Sequence, residues 1–490
     1  DPDTLARAAA LARQRGVPVI ALKAGRSASG MAAAQSHTGA LVNADGVVDA
    51  FFHRHGIWRA ADPASIVQVA ELYLKGQRRP GRNLVVISNS GSSCVMCADA
   101  ADELGLPLAQ LSLETRRNVG HALTSFATCD NPIDLTTALM GNSEVFGKVL
   151  QGLAPDAAAD LFLISLPVAG EGYDLERIAQ DTAAFEAATG KTVVVTATLA
   201  SALAPFRRHG VVTFPSERQA LQALDQFTRH LALMASPQPV LPRVPAIELR
   251  AGSAPFLNEA DSLALLARAA VPVVPHRVCF SADEAVAAWR ELKGPVAVKA
   301  CSEGLPHKSE YGLVFLNVDG EAELRAAFEN CRLGMHKLGV AWEGVIVARM
   351  ERGRREFAIG AKVDPVFGPV VMVGDGGKYI EAMPDFCLLV PPFDGSEVRA
   401  ALQGLRVAPL FAGVRGESPM DLDALCEAVV GVGALMAASK GDIASIDLNP
   451  VIVRSAGEGV VVVDALIERR LPQAQAQTAA PAKQLESIES

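Results

Sequence analysis

Residues 83–112 read NLVVISNSGSSCVMCADAADELGLPLAQLS. The stretch opens on an apolar run, breaks at Asn89-Ser90-Gly91, continues with helical spacing and closes on a second apolar run. A run without polar alternation reads as a strand buried on both faces, the mark of a parallel sheet covered by helices. Three more such runs come later, each after a helical segment: ADLFLISLPV at 159–168, KTVVVTATLA at 191–200 and VVTFPS at 211–216. The alternation predicts a doubly wound, flavodoxin-like domain over residues 80–236. Loops at the carboxyl ends of such strands form binding sites. Two stand out, SNSGSS at 88–93 and CDNPIDLT at 129–136.

Working outward, residues 1–78 hold a helical pattern (Leu5, Ala8, Leu11, Ala12), a buried-strand run VPVIALKAG at 17–25, and a Gly/Ser-rich stretch at 25–46. One strand with helices does not close an open α/β sheet. The expectation is the back part of a flavodoxin-like domain whose earlier strands precede Asp1. A Pro-rich linker, SPQPVLPRVPA at 236–246, leads to an α+β segment over 247–470. That segment starts with a helix, NEADSLALLARAA, mixes strands such as PVAVKA, GLVFLNV, EGVIVARM, REFAIGAKV and PVVMVG with helices, and ends in two strands, IASIDLNPVIV and GVVVVDALI. The tail at 471–490 is polar and of low complexity, and disorder is expected.

The 490 residues are 50% hydrophobic and 20% charged, enough for about three domains. A net charge of -9 argues against nucleic-acid or anionic-membrane partners. The eight cysteines are scattered and only Cys94 and Cys97 lie close, inside an apolar helical pattern. They read as small buried hydrophobes in a reduced, cytoplasmic protein. Apolar runs are far shorter than the roughly 18 residues of a membrane helix.

Candidate chemistry gathers at a few places. Lys299 ends a strand run and is followed by the loop PHKSEYG at 306–312. DLNP places Asp447 and Asn449 on one side of a strand, and Asp464 comes on the next strand. Three hard oxygen donors suit Mg²⁺; an edge-strand polar face with a turn before Pro450 reads equally well. The glycines of GDGG, Gly376 and Gly377 among them, mark a turn whose N–H groups could meet a phosphate. In AQSHTGAL, His37 sits among small residues, either as a nucleophile or as a turn histidine bonded to backbone. Asn89, Ser90 and Gly91 lead into a helix whose N-terminus could seat a phosphate, or they form an ordinary βα turn.

As an ordered set these motifs resemble the NDP-forming acyl-CoA synthetases, the family of ADP-forming acetate–CoA ligase. The matching pieces are SHTGAL (36–41), NSG (89–91), NPID (131–134), Lys299, HKSEYG (307–312), DPVFGPVVMVGDGG (364–377), VRGESPMD (414–421), DLNP (447–450) and VDA (463–465). The resemblance implies succinyl-CoA synthetase-like flavodoxin domains followed by an ATP-grasp domain. It implies the reaction acyl-CoA + ADP + phosphate ⇌ carboxylic acid + CoA + ATP, run through phosphohistidines at His37 and His307. A covalent carrier is needed if the CoA and nucleotide sites lie in separate domains, because in-line transfer requires contact at about 3–3.5 Å. Lys299, Glu356, Gly376 and Gly377 are the implied contacts to ATP or ADP, Asp447, Asn449 and Asp464 the implied Mg²⁺ ligands, and Asn89, Ser90 and Gly91 an implied phosphate seat. NPID is given a loop-shaping role. CoA would bind mainly in a domain preceding Asp1, and a homo-oligomer, a dimer of the full-length chain, is expected. Two other readings are an acyl-CoA or nucleotide sensor fused to an acetyltransferase, and an ATP-grasp carboxylate–amine ligase; retention of both histidines weighs against each. Departures from the family pattern fall at Glu310 and Leu313, where an aspartate and a glycine are usual and a stiffer His307 loop is expected, and at Ser92, where a glycine is usual and the NSGS turn keeps its N–H but loses backbone freedom.

Overall fold

The computed structural model describes residues 1–27, 29–32, 45–75, 81–123, 128–140, 142–245, 247, 249, 254–306, 308–377 and 382–471. It divides into two compact units: Asp3–Gly39 with His55–Pro237, and Asp1–Pro2, Ala40–Arg54 with Gln238–Ser490.

The first of these contains β1 (Val19–Leu22) and β2 (Ile57–Ala60), which pair in parallel. It also contains a five-stranded parallel sheet of β3 (Leu84–Ser88), β4 (Ile133–Asp134), β5 (Leu161–Leu166), β6 (Thr192–Ala197) and β7 (Val212–Phe214), ordered β4-β3-β5-β6-β7. That is the flavodoxin-like order, with the topological switch beside β3. Alternate strand residues feed opposite layers. Leu161 and Leu163 join one core with Cys97, Ala101 and Leu224, while Phe162 and Ile164 join the other with Phe146, Ile178 and Phe206. Helices therefore cover both faces, which is why the strands are apolar without interruption.

Sequence pattern and structure part at the second strand of this sheet. LPLAQLS forms only an isolated bridge, Leu84 to Leu108, in which Leu84 N donates to Pro107 O and Ala109 N to Leu84 O, each at 2.8 Å; at the next step Val86 N turns to a side chain instead. The position is completed by β4, from the NPID stretch. Between these pieces the Asn131 carboxamide takes over: Oδ1 accepts from Val86 N at 2.9 Å, and Nδ2 donates to Leu84 O at 2.7 Å and Ala109 O at 3.1 Å. A side chain thus stands in for missing backbone partners, which gives the loop-shaping role of NPID its physical content.

The other unit holds two antiparallel sheets. The smaller, ordered β10-β9-β11-β8, is built from β8 (His276–Cys279), β9 (Val296–Ala300), β10 (Val314–Val318) and β11 (Val345–Arg349). The helices Ala282–Leu292 and Glu321–Leu338 pack on it. The larger contains β12 (Arg355–Asp364), β13 (Gly368–Asp375), β14 (Phe386–Leu389), β15 (Ile443–Val453) and β16 (Val460–Val462), ordered β14-β13-β12-β15-β16, with β17 (Leu466–Arg469) also on β15. Its core lies against the apolar helix Leu422–Ala438. Also in this unit, Phe51 of the helix Asp45–Arg54 meets Phe367 with ring centroids 4.9 Å apart. Strands β8 and β14 have no counterpart in the sequence expectations, being short and without a clear period. GVVVVDALI divides into β16 and β17 instead of making one strand, and β15 is an interior strand, so its polar residues do not mark a sheet edge.

Candidate active site

Lys299 lies on β9, where neighbouring strands at Val314 and Ile346 hold its backbone. Its Nζ donates to Glu259 Oε1 and to Val463 O, each at 2.7 Å, with Asp464 Oδ1 3.7 Å away. Lys308, in the loop after β9, reaches the same place. Its Nζ is 2.8 Å from Glu259 Oε2 and 3.2 Å from Asp464 Oδ1. Each oxygen of Glu259 faces one lysine, Oε1 accepting a hydrogen bond from Lys299 and Oε2 in an ion pair with Lys308, and Asp464 faces both. The side chains of Glu259, Lys299 and Lys308 are 2%, 7% and 8% exposed, against 35% for Asp464. Asp464 is therefore the member that opens outward.

Two ammonium groups and two carboxylates make a neutral cluster, the condition under which buried charge is tolerated. Burial works against the charged form of Lys308, but Glu259 and Asp464 outweigh it and hold its pKa above the ordinary lysine range. Burial likewise opposes ionisation of Asp464, and the Lys299 and Lys308 charges overcome it, leaving its pKa below the usual carboxylate range.

Glu259 escaped the sequence reading. It opens the helix Glu259–Arg268, N-capped by the Asn258 side chain, where an acidic residue looks like ordinary macrodipole compensation. The available signal was periodicity: Glu259, Ser262, Leu263 and Leu266 fall on one buried face of that helix. A carboxylate on an apolar face needs a partner.

A cavity of about 150 Å³ adjoins the cluster, lined by Lys308, Ser309, Glu310, Asp447, Asn449 and Asp464. Asp447 and Asn449 are exposed on β15 with Leu448 buried between them, so the expected shared side is realised. Asp464 is not on a strand. It sits in the link between β16, which pairs with Val451–Val453, and β17, which pairs around Asp447. Passing from one to the other carries the link past Pro450, whose carbonyl accepts from Val463 N at 3.3 Å, and brings Asp464 to the cavity. Among the described residues no group of three His, Cys, Asp or Glu side chains is arranged to hold a metal. The trio here offers two carboxylates and one amide, hard oxygen donors of the kind Mg²⁺ prefers.

A second cavity, about 750 Å³, collects Arg355, Glu356, Asp375, Gly376, Gly377 and Arg406 beside an apolar wall of Met383, Val407 and Leu410. Arg355 grips Asp375 with two bonds of 2.6 Å. Gly376 N donates to Glu356 O at 2.9 Å, and a Cβ at Gly376 would lie 2.5 Å from the Phe357 backbone. Packing alone demands glycine there. Glu356, Gly376 and Gly377 thus meet in one cavity, while Asp447, Asn449 and Asp464 meet in the other.

Leu313, 4% exposed, packs against Gly334, where a Cβ would collide with its side chain. The downstream end of the loop is seated by that contact. Its upstream end is tied by Glu303, whose Oε1 accepts from Arg469 at 2.6 Å and whose N–H donates to Glu343.

In the flavodoxin-like unit, Ser90 N-caps the helix Gly91–Glu103 without a side-chain bond. Asn89 is buried, its Nδ2 donating to Val168 O at 2.7 Å. Asp134 comes within 2.9 Å of where a Gly91 Cβ would stand, so a carboxylate already neighbours this helix N-terminus. Cys94 and Cys97 are buried, and burial pushes their thiols up to about 11 and about 12. All eight cysteines are free. His37 and His307 lie outside the described residues.

Two sequence families match the chain, one described as an ATP-grasp domain over residues 248–468 and one as a succinyl-CoA ligase like flavodoxin domain over residues 1–73. Trans-feruloyl-CoA synthase of an unknown prokaryotic organism is 31% identical over 484 residues, 95% of this chain and 67% of that protein. The chain belongs to the NDP-forming acyl-CoA synthetase family. It is also 31% identical to the ADP-forming acetate–CoA ligase I of Archaeoglobus fulgidus, over 91% of the chain and 65% of that protein. Among solved structures, the dinucleotide forming acetyl-coenzyme A synthetase 1 of Ca. Korarchaeum cryptofilum in complex with coenzyme A, Ca-AMPCP and HgCl⁺ is 32% identical, covering 44% of this chain and 93% of that one, with a TM-score of 0.41. The chain spans about two thirds of the length of trans-feruloyl-CoA synthase, of the Archaeoglobus ligase and of the 4-hydroxybutyrate–CoA ligase of Nitrosopumilus maritimus. No helix of the described residues is long and apolar enough to cross a membrane.

Proposed function

We propose that this chain belongs to an enzyme that interconverts acyl-CoA, ADP and phosphate with a carboxylic acid, CoA and ATP, in the cytoplasm and as a homo-oligomer. The observation that carries the reading is the neutral lysine–carboxylate cluster beside the cavity of Asp447 and Asn449. Two ammonium groups held ready next to hard oxygen ligands are what transfer of a phosphoryl group requires, because its charge must be compensated while it moves. The proposed organisation is a flavodoxin-like part over 1–78 bearing His37, a second flavodoxin-like domain over 80–236, an ATP-grasp domain over 247–470 and a tail over 471–490.

In this reading His37 takes the phosphoryl group of an acyl phosphate and passes it to His307, which delivers it to ADP. In the reverse direction a His307 ring nitrogen bonds the γ-phosphorus of ATP, the bond to the bridging oxygen breaks, and ADP leaves. Lys299 and Lys308 compensate phosphate charge. Glu356, Gly376 and Gly377 border the space for the rest of the nucleotide, and the helix N-terminus at Asn89, Ser90 and Gly91 is the proposed seat for a phosphoryl group. Mg²⁺ held by Asp447, Asn449 and Asp464 would neutralise phosphate oxygens. The relatives' names include acetate, 4-hydroxybutyrate and trans-feruloyl-CoA, so the family accommodates chemically different acids.

The 490-residue chain incubated with γ-labelled ATP should retain acid-labile label, lose it when ADP is added, and retain none as His307→Ala. Equal labelling of His307→Ala rejects His307 as the carrier.

A further inference from the structure

We propose that Lys308 is an internal cation that occupies Asp464 until a divalent cation displaces it, so that metal and nucleotide phosphate bind as linked partners. The inference rests on the reading of Asp447, Asn449 and Asp464 as cation ligands, and it concerns what this chain places on Asp464 before the cation arrives.

The two carboxylates of the cluster are not equivalent. Glu259 is 2% exposed and gives one oxygen to each lysine, at 2.7 and 2.8 Å. Nothing entering the cavity can take it without stranding both ammonium groups in the interior. Asp464 is 35% exposed, borders the cavity with Asp447 and Asn449, and presents Oδ1 to Lys308 at 3.2 Å and to Lys299 at 3.7 Å. It can leave the cluster and still be solvated or coordinated. Lys308 can let it go because its shorter contact is the one to Glu259.

The exchange changes the charge of the cluster. With Asp464 engaged, two positive and two negative groups balance. With Asp464 given to a divalent cation, Glu259 alone faces two ammonium groups, and one positive charge is left uncompensated in a place where charge must be paired. An anionic phosphoryl group entering the cavity restores balance. Cation and nucleotide each favour the other through Lys308, and such linkage is reciprocal. In this scheme Lys308 acts on the cation through Asp464 and on the phosphate through its own charge.

Free Mn²⁺, measured by electron paramagnetic resonance in titrations of the 490-residue chain with and without ADP, tests the exchange. Removing the internal competitor in Lys308→Met should tighten Mn²⁺ binding to the nucleotide-free chain by about tenfold, within the range of ordinary coupling between sites, and should shrink the further tightening caused by ADP. Glu259→Gln should do the opposite, because both lysines are then left with Asp464 alone and hold it harder. A merely structural role would move the two variants in the same direction, and Glu259→Gln decides the matter if Lys308→Met does not fold. Mn²⁺ that binds wild type and is lost in Asp464→Asn, yet binds Lys308→Met no more tightly than wild type, overturns the exchange and leaves the cation site standing. Mn²⁺ that fails to bind wild type, or binds Asp464→Asn equally well, overturns both.

Discussion

Asn131→Ala should destabilise the flavodoxin-like unit well beyond what its half-buried position suggests. The carboxamide accepts from Val86 N at 2.9 Å and donates to Leu84 O at 2.7 Å and Ala109 O at 3.1 Å. Val86 is fully buried in the middle of β3. Truncation leaves its N–H without the acceptor, and an unsatisfied buried donor costs about 1–3 kcal/mol. Leu84 O keeps a bond from Ala109 N at 2.8 Å, so its loss is smaller. The sum is about 2–3 kcal/mol, and each kcal/mol moves Tm about 2–4 °C in a folding unit of roughly 200 residues, for a fall of about 5–10 °C. Calorimetry of the 490-residue chain is the assay. Asp130→Ala is the neighbouring control, since Asp130 pairs with Arg116 at 3.1 Å across a largely exposed surface and should stay within about 0.5 kcal/mol of wild type. If Asn131→Ala melts within about 1 °C of wild type, or no lower than Asp130→Ala, the carboxamide does not complete the sheet.

Two further outcomes rest on packing and protonation. Gly376→Ala should weaken nucleotide binding and lower Tm more than Gly377→Ala in the same titration and melt. The added Cβ meets the Phe357 backbone at 2.5 Å, whereas at Gly377 it meets only the end of the Glu356 side chain, with a φ of +79° to strain. His230 is fully buried, with Nε2 3.0 Å from Gly56 O and Nδ1 2.8 Å from the Tyr73 hydroxyl. Burial lowers its pKa, with the Gly56 bond opposing, so between that lowered value and the unfolded value near 6.5 the unfolded chain binds the extra proton. Stability should be full above about pH 7 and fall as pH drops below about 6.5; His230→Gln should show a smaller fall in Tm between pH 7.5 and 5.5, and equal falls would exclude His230 as the titrating group.

Legibility in the sequence differs by element. The apolar runs at β3, β5, β6 and β7 announced a parallel sheet because burial on both faces removes polar alternation from the sequence itself. DLNP announced two polar side chains on one side of a strand because strand geometry has a period of two. LPLAQLS carried the same apolar signal and yet made only a bridge. The Asn131 carboxamide that takes the next ladder positions comes from beyond the intervening helix and does not enter a count of hydrophobic residues.

Local pattern by itself determined the types of element, the flavodoxin-like class of the parallel sheet β3–β7, the α+β character of the chain after it and the order of the motifs, because each depends on neighbours a few residues apart. Tertiary structure alone decided what those motifs meet. It set Glu259 between Lys299 and Lys308, carried Asp464 past β15 on a link instead of a strand, and parted Glu356, Gly376 and Gly377 from Asp447, Asn449 and Asp464 into two cavities. Lys299 reaches Val463 across 164 positions of chain and Glu259 across 40. Contacts of that span are made by folding, and the pairing rule for buried charge, which has no period along a sequence, selects among them.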